Sequence, residues 1–460
     1  MLYEILREVA RVALHWYYRD ILVQGAERIP RRGPVLVVAN HPNALVDALL
    51  IGTSIPRRVL LTAKATLFDQ PLLAPLLEAV GVVPLRRAKD MSPSGVASTP
   101  ARNAEAFRRV TDALVHDQVV LVFPEGVSHD EPMLAPLRTG AARMVMAADE
   151  AGVRGLRVLP VGLVFEAKER PRSRVLVRIG EPLDIDTWRK AEAYDAASLT
   201  QDIDARLRIV TLNFASATRA ERSVRLAGAL SAIAREPESL GESVSLASEA
   251  AVAERVEAAT DALERAPVAL VAATDFFIGR LTDFENRLAA QGITLAEARV
   301  SPRLRHGAQF VVREGLLALI ALPIALFGWV THWLPVRLAR GLALRSLGSD
   351  RSRDQPAMRT IVFGVFAVIV WYVVQATIMT HWFGAWMAVL WIVALFVAAR
   401  IDLLLGDRVS RALRRAQTYL ALRKNAALRT SVSRELDSLV REALDLERAL
   451  QTSARDSAPY

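Results

Sequence analysis

Two uncharged apolar stretches in the second half of the chain constrain its architecture more than any other feature of the sequence. The first covers residues 315–336, and the second covers the forty residues 360–399. A helix needs about 20 apolar residues to cross the hydrocarbon core of a bilayer, so both stretches exceed what a soluble helix requires. The longer one is predicted to form two crossings joined by a polar, aromatic turn at 380–384. We therefore expect a chain that is anchored in a membrane.

The charges around the first stretch favour a different path for it. Arginine residues cluster after it, at positions 337–359, whereas the turn at 380–384 contains no Lys or Arg. Positively charged residues stay on the cytoplasmic side of a membrane, and Pro323, near the middle of the stretch, can break a helix. The sequence thus predicts that 315–336 enters and leaves on one side as a re-entrant or interfacial hairpin, while 360–399 forms a transmembrane hairpin.

Composition limits the chemistry that the chain can carry. Hydrophobic residues make up 52% of the 460 residues and charged residues 23%, which is typical of a soluble domain joined to a membrane segment. The chain has no cysteine, which excludes a thiol nucleophile, a disulfide framework and metal sites built on cysteine. The net charge of +9 fits an anionic partner, and the hydropathy favours membrane lipid over nucleic acid.

The first half of the chain has the pattern of an α/β domain. Residues 34–183 alternate short β-branched runs with helical stretches, which predicts a mostly parallel sheet flanked by helices. Strands are predicted at 35–39, 59–62, 82–84, 119–123, 158–164 and 175–179, helices near Asn43, Pro71, Ala101 and Thr139, and a loop at 91–100.

The remaining segments complete the predicted domain organisation. Residues 2–16 have the apolar spacing of an amphipathic helix, which could cover a core or lie in a membrane interface. The predicted domains are 1–185 with this N-terminal helix, a helical connecting region at 186–312, the membrane region at 313–400 and basic C-terminal helices at 401–460.

His41 and His129 are the two of seven histidines that lie near predicted strand ends, where catalytic side chains are often found. His41 closely follows the strand at 35–39, and Asp47 comes six positions later. An Asp beside a His fixes the imidazole tautomer and leaves the other ring nitrogen free to take a proton from a hydroxyl. The pair is therefore a candidate general base with its orienting carboxylate; the alternative is a structural histidine in a turn.

Two further elements contain residues suited to binding an anion or a hydroxyl. The sequence Gly-Val-Val-Pro-Leu-Arg-Arg at 81–87 ends with two arginines, and an arginine presents a planar fork to a phosphate. The sequence Phe-Pro-Glu-Gly leads from a strand into a turn, where Gly126 lets backbone amides approach an anion and Glu125 could hydrogen-bond a hydroxyl. Arginines are common in this chain, so those at 86 and 87 could equally be solvated surface side chains.

In this order and at these separations, the elements resemble the phospholipid/glycerol acyltransferase family. The resemblance covers about residues 2–183 and includes the Leu-Pro-Val-Gly-Leu run at 159–163. Within the family, the motifs are most similar to those of the eukaryotic-type glycerol-3-phosphate/dihydroxyacetone-phosphate acyltransferases. These share Pro-Glu-Gly-x-Ser-His-Asp and Leu-(Lys/Arg)-x-Gly, found here at 124–130 and 137–140. Most family members have four residues between the His and the Asp, whereas this chain and that subgroup have five.

The resemblance implies a membrane-bound O-acyltransferase of phospholipid biosynthesis. It would move a fatty acyl group from acyl-CoA or acyl-carrier protein to glycerol 3-phosphate or dihydroxyacetone phosphate, with His41 as base and Asp47 orienting it. The residues implied to hold the acceptor are Arg87, Glu125 and Gly126, assisted by Arg86 or Lys64. No metal or bound cofactor is implied. The catalytic domain is expected to face the cytoplasm, where thioester donors are made, and the membrane would be the inner membrane in a bacterium.

Two alternatives remain open at the level of sequence. One is acylation of 1-acyl-glycerol-3-phosphate (lysophosphatidate), and the other is a non-catalytic lipid-binding protein. The run Ser-His-Asp at 128–130 looks like a compressed triad. Because adjacent residues on a tight loop do not easily converge on one proton path, we interpret Ser128 and His129 as residues that shape the loop.

Overall fold

The described residues form two compact units. The computed structural model describes residues 2–64, 68, 78, 81–85, 100–190, 194–234, 245–298, 304–345 and 355–456. The first unit comprises residues 1–216 and 340–365, and the second comprises residues 217–339 and 366–460.

The first unit is built on an eight-stranded sheet that is mostly parallel. Its strands are β1 (Asp20–Gln24), β2 (Val35–Ala39), β3 (Val59–Lys64), β4 (Val83–Leu85), β5 (Val119–Val122), β6 (Arg157–Phe165), β7 (Arg174–Ile179) and β8 (Leu183–Asp184). Their order is β1-β7-β6-β2-β5-β3-β4, and β8 pairs with β6. Strands β6, β2, β5, β3 and β4 run parallel, whereas β7 is antiparallel to β6. The predicted α/β class is confirmed.

Helices cover both faces of this sheet. They are α1 (Leu2–Tyr17), α2 (Ala44–Ser54), α3 (Pro100–Val115), α4 (Gly140–Glu150), α5 (Ile185–Trp188) and α6 (Ala196–Val210). All five residues of β2 are buried: Leu36 and Val38 face the core beneath α3, α4 and α6, and the other three face the core beneath α1 and α2. An uninterrupted apolar strand is what a central position with two covered faces requires.

The predicted strands agree with the structure to within two residues at each end. Strand β1 was not predicted, because it is short and half-exposed and its partner β7 begins only at Arg174. The helix predicted near Pro71 and nearly all of the loop predicted at 91–100 lie outside the described residues.

The second unit is helical. It contains α7 (Ala217–Ile233), α8 (Leu246–Leu263), α9 (Val268–Ala290) and α13 (Ala426–Asp456), together with all or most of α10 (Leu304–Arg345), α11 (Gln355–Phe383) and α12 (Ala385–Lys424). Phe284 and Leu288 of α9 share a core with Leu436 and Leu439 of α13. Among the described residues, three segments are long and apolar enough to cross a membrane: Leu319–Arg345, Ala357–Phe383 and Ala385–Gly406. The predicted turn between the last two is present at Gly384, where φ is 84°.

The turn that a hairpin at 315–336 requires is contradicted, because α10 runs unbroken through Pro323 and Pro335; that both ends of the segment lie on one side of the membrane stays a prediction. A proline removes the N–H that would bond the carbonyl four residues earlier. For Pro335 this is the carbonyl of Thr331, which instead accepts the indole N–H of Trp371 at 2.8 Å. A side chain of α11 thus supplies the missing hydrogen bond, and the helix continues.

Candidate active site

The candidate site lies where three neighbouring strands end. Strands β5, β2 and β6 are adjacent and parallel, so their carboxyl ends meet at one edge of the sheet. His41 follows β2, Glu125 follows β5 and Lys168 follows β6. Ligand sites in parallel sheets lie outside the carboxyl ends of the strands. The topology therefore brings these three side chains to one place, although they are far apart in sequence.

His41 and Asp47 form the predicted pair. The Nδ1 atom of His41 lies 2.9 Å from Oδ2 of Asp47, which stands in the first turn of α2 and is fully buried. The same oxygen accepts the backbone N–H of Asn43 at 2.7 Å. The imidazole stacks on Phe123, with ring centroids 3.9 Å apart, and its side chain is 14% exposed. The orientation is thus fixed by Asp47 on one side and by an aromatic ring on the other.

This geometry assigns a role to each ring nitrogen. Since Asp47 accepts at Nδ1, the neutral imidazole carries its proton there, and Nε2 keeps a lone pair. Burial raises the pKa of the Asp47 carboxyl; the hydrogen bond from His41, the Asn43 N–H and the charge of Lys168 act in the opposite direction. Chemically, the pair can take a proton from a hydroxyl placed at Nε2.

Glu125 is buried and holds the backbone around His41. Its Oε1 accepts the N–H of His41 at 2.7 Å, and its Oε2 accepts the N–H of Ala135 at 2.8 Å. Nε2 of His129 also hydrogen-bonds to Oε2, and this contact raises the pKa of His129. Nδ1 of His129 accepts the N–H of Glu131 at 3.1 Å. Both carboxylate oxygens of Glu125 are therefore engaged within the protein.

The other predicted acceptor residues are only partly described. Gly126 has a φ of 76°, and the side chain of Arg138 lies against it, so that a Cβ at this position would be 3.0 Å from the Arg138 side chain. Arg86 and Arg87 lie outside the described residues, and of Lys64 only the backbone, the last residue of β3, is described. Within the described part of the chain, no group of three His, Asp or Glu side chains is arranged to hold a metal ion.

Comparison with known proteins identifies the domain that contains the His41–Asp47 pair. The model of the Acyltransferase family matches residues 20–164, which include β1–β5, β6 except its last residue, and both members of that pair. Residues 20–164 are an acyltransferase domain. The family that the motifs suggested is thereby confirmed.

Three curated proteins resemble parts of this chain at identities of 22–39%. Glycerol-3-phosphate O-acyltransferase 1 of Saccharomyces cerevisiae is 24% identical over 265 residues, 40% of this chain and 35% of the yeast protein. Glycerol-3-phosphate O-acyltransferase 2 of the same yeast is 39% identical over 85 residues, 18% of this chain and 11% of that protein. An uncharacterised acyltransferase of Schizosaccharomyces pombe is 22% identical over 45% of this chain and 43% of its own length. The chain thus spans less than half the length of these relatives.

The chain is also similar to solved structures. The crystal structure of the 1-acyl-sn-glycerophosphate acyltransferase of Thermotoga maritima is 22% identical, with a TM-score of 0.35, over 45% of this chain and 78% of that chain.

The sequence analysis did not predict that Lys168 contributes to this site, where it contacts Pro42 and His129. It stands four residues after the predicted strand 158–164, so its place after a strand was visible. What the sequence did not reveal is that β6 lies directly beside β2, which puts Lys168 next to the residues that follow His41.

Proposed function

We propose that the chain is a membrane-bound O-acyltransferase that moves a fatty acyl group from an acyl thioester to a hydroxyl of glycerol 3-phosphate or dihydroxyacetone phosphate. The observation that carries the proposal is the hydrogen bond between His41 and the buried Asp47 at the strand ends of an acyltransferase domain. The names of the similar yeast proteins support this acceptor class. An intact base with its orienting carboxylate argues against a non-catalytic lipid-binding protein.

In the proposed reaction, His41 acts as general base and then as general acid. Nε2 takes the proton of the acceptor hydroxyl, while Nδ1–H donates to Asp47. The acceptor oxygen attacks the thioester carbonyl carbon, the C–S bond breaks, and the leaving thiolate takes the proton from the imidazolium. The products are an ester and a free thiol. Because the chain has no cysteine, we propose direct attack without a thioester intermediate on the protein.

The acceptor phosphate is proposed to bind at the same edge of the sheet. Strands β3 and β4 run parallel to β5 and end at Lys64 and Leu85, so Arg86 and Arg87 directly follow a strand end on this edge. This supports Arg87, assisted by Arg86 or Lys64, as the phosphate ligand that the family resemblance implies. Since both oxygens of Glu125 are engaged, we propose that Glu125 serves the acceptor by fixing the backbone of His41, next to Gly126.

An assay with parallel acceptors tests this function. The full chain in lipid nanodiscs is offered glycerol 3-phosphate, dihydroxyacetone phosphate or 1-acyl-glycerol-3-phosphate, each with radiolabelled acyl-CoA or acyl-carrier protein. Labelled ester is expected with one of the first two acceptors. Label only with 1-acyl-glycerol-3-phosphate would establish that alternative, and no label with any acceptor would contradict the proposal.

We further propose that the acyltransferase domain faces the cytoplasm, which in a bacterium means the inner membrane. The three long apolar helices support membrane attachment, and we propose α11 and α12 as the two crossings. Ala357 and Ile361, at the start of α11, are buried in the core beneath α1 and α2, so this segment lies on the same side as the domain. The turn at Gly384 comes after one full apolar segment and is expected on the opposite side.

Cysteine labelling tests this topology, since the chain has no native cysteine. Ser349→Cys, His381→Cys and Ser433→Cys are treated with an impermeant thiol reagent on intact cells, with Ala104→Cys, exposed on α3, as the reference for the domain. We expect labelling of His381→Cys alone, and labelling of the other three after permeabilisation. Labelling of Ser349→Cys in intact cells would contradict the proposed side.

A further inference from the structure

Lys168 lies where the loops after β6, β2 and β5 meet. Its side chain is 13% exposed, and its Nζ donates to the carbonyl oxygens of Pro42 at 2.5 Å and of His129 at 3.4 Å. It also forms an ion pair with Asp130. An ammonium group has three N–H donors, so these three partners use its whole capacity. The lysine thus ties the residue after His41 to the loop after β5.

The loop after β5 makes further contacts with residues 41–44, which we call the His41 turn. The N–H of His129 donates to the carbonyl of His41 at 3.3 Å, and Oγ of Ser128 accepts the N–H of Ala44 at 3.1 Å. Ala44 has a φ of 47°, in the left-handed region that residues with a Cβ rarely adopt. Such a conformation persists only where surrounding contacts fix it. Ser128, His129, Asp130 and Lys168 together are therefore the brace of the His41 turn.

The remaining residue of the turn, Asn43, is connected to the same lysine. Its Nδ2 donates to the hydroxyl of Tyr18 at 3.0 Å, and that hydroxyl donates to the carbonyl of Lys168 at 3.3 Å. Both Asn43 and Tyr18 are completely buried. Side chain and backbone of Lys168 thus act on neighbouring residues of the turn, from Pro42 to Asn43.

We propose that Lys168 is a positioning residue for His41, acting through the backbone of Pro42 and through Asp130. The inference rests on the proposed function, since it concerns the base of the acyl transfer. It extends that function by adding a cation outside the matched residues 20–164. A displacement of about 1 Å in a reacting group can cost about 10²-fold in rate, which is the scale on which a loosened turn would act.

The charge of Lys168 contributes as well as its hydrogen bonds. Its positive charge lowers the pKa of Asp47, against the stronger effect of burial, and so favours the carboxylate that accepts from His41. Arginine keeps the charge but is a planar fork, whereas lysine is a compact point charge that suits three acceptors around one atom. We therefore expect Lys168→Arg to restore part of what a neutral residue loses.

Steady-state kinetics of three variants test the proposal on the full chain in nanodiscs. Lys168→Met is expected to lower kcat by about ten- to hundredfold, with the KM values for acceptor and donor changed less than about threefold. Lys168→Arg is expected to recover at least several-fold in kcat. Lys190→Met, which removes an exposed lysine just after α5, is the matched control and should keep the wild-type kcat. An unchanged kcat in Lys168→Met, or a rise confined to the acceptor KM, would overturn the positioning role.

A chemical readout separates this proposal from the proposed function. Diethyl pyrocarbonate labels histidines, and peptide mass spectrometry reports His41 separately from the exposed His116, which serves as internal standard. Lys168→Met should raise the His41 labelling rate several-fold relative to His116, and Asp130→Asn should raise it in the same direction but less. Equal rates in all variants would contradict the brace, even if the wild type transferred no acyl group. Conversely, an inactive wild type with faster labelling in the variants would contradict only the acyl transfer.

Discussion

The sheet of the first unit buries its apolar side chains inside the protein, whereas helices α11 and α12 expose many of theirs on the outside. In β2 every residue is at most 1% exposed, whereas Phe366 in α11 is 68% exposed and Trp386 in α12 is 74% exposed. Water stabilises the first arrangement by about 25 cal/mol for each Å² of apolar surface buried. The second arrangement is stable in lipid, where apolar side chains need no cover.

The polar contacts differ in the same way. Around His41 they hold the His41 turn in a fixed conformation, with buried carboxylates accepting two or more hydrogen bonds. Between the apolar helices they join one helix to another. For example, the hydroxyl of Tyr372 in α11 lies 2.7 Å from Nε2 of His332 in α10. The effect of a substitution therefore depends on whether water or lipid surrounds the site, and the same residue change has different consequences in the two regions.

The largest effect should come from the buried carboxylate of the sheet edge. Asp47→Asn is expected to lower kcat by about 10²–10⁴-fold, because the amide no longer stabilises the imidazolium of His41. Burial raises the folded-state pKa of Asp47 above its unfolded value, so ionisation of this group costs stability as the pH rises through that range. The neutral amide removes this cost.

Melting curves at pH 7 beside the kinetics check both parts of this prediction. The melting temperature of Asp47→Asn should equal or exceed that of the wild type. The double variant His41→Ala/Asp47→Asn should be little slower than His41→Ala, since the two residues act as a unit. A clear loss of stability, or multiplicative rate losses, would mean that the pair does not work as described.

An isoleucine-to-arginine substitution should have different effects in the membrane helix α11 and on the surface of the first unit. Ile369, in the middle of α11, is 53% exposed, and Ile209 of α6 is 76% exposed. Arginine at the centre of a membrane helix costs about 2.5–3.5 kcal/mol on insertion scales, whereas an exposed surface site tolerates it. Ile369→Arg should therefore reduce the membrane-inserted fraction several-fold, measured by carbonate extraction, and Ile209→Arg should not. An equal membrane-inserted fraction in the two variants would contradict the placement of Ile369 in lipid.

A glycine pair tests how tightly the sheet unit is packed. A Cβ on Gly162 in β6 would lie 1.9 Å from the carbonyl oxygen of Val210, whereas a Cβ on Gly140 meets nothing within 4 Å. Gly162→Ala is expected to cost about 1–3 kcal/mol of unfolding free energy through overpacking. Gly140→Ala, at the first residue of α4, should be nearly neutral. Thermal denaturation of both variants measures these changes in stability. An unchanged stability in Gly162→Ala would show that β6 and the end of α6 are loosely packed.

The smallest effect is expected at Ser128. Loss of its hydroxyl leaves the N–H of Ala44, the first residue of α2, without its acceptor. Ser128→Ala should cost about 1 kcal/mol of stability, as for other capping residues, with a less than tenfold fall in kcat. Ser128→Thr keeps the hydroxyl and should retain most of both. If Ser128→Ala reduced kcat as strongly as Asp47→Asn, Ser128 would have a direct part in the chemistry.

Much of the fold could be predicted because its central strands are locally distinctive. The apolar run of β2 and the apolar start of the segment at 119–123 required no knowledge of the rest of the chain. Strand β1 was missed because its evidence is its pairing with β7, a contact distant in sequence. The unbroken path of α10 was missed for a similar reason, since Trp371 supplies the hydrogen bond that Pro335 removes.

The candidate site could be predicted in part for the same physical reason. His41 and Asp47 are six positions apart, so a strand, a turn and a helix start suffice to bring them together. The engagement of Glu125 by Ala135 and His129, and the place of Lys168, depend on the order of β5, β2 and β6 in the sheet. Local sequence patterns do not predict this strand order.

The most direct test of the account is the initial rate of acyl transfer to radiolabelled glycerol 3-phosphate by His41→Ala in nanodiscs. His116→Ala is the matched control, because His116 is exposed just after the end of α3 and its Nδ1 contacts the Asp112 carbonyl at 2.7 Å. We expect His41→Ala to lose at least about 10²-fold in rate while its circular dichroism and membrane recovery match the wild type. The control should stay within about twofold, as for an ordinary surface substitution. A rate for His41→Ala close to that of the wild type would contradict the central claim that His41 is the base.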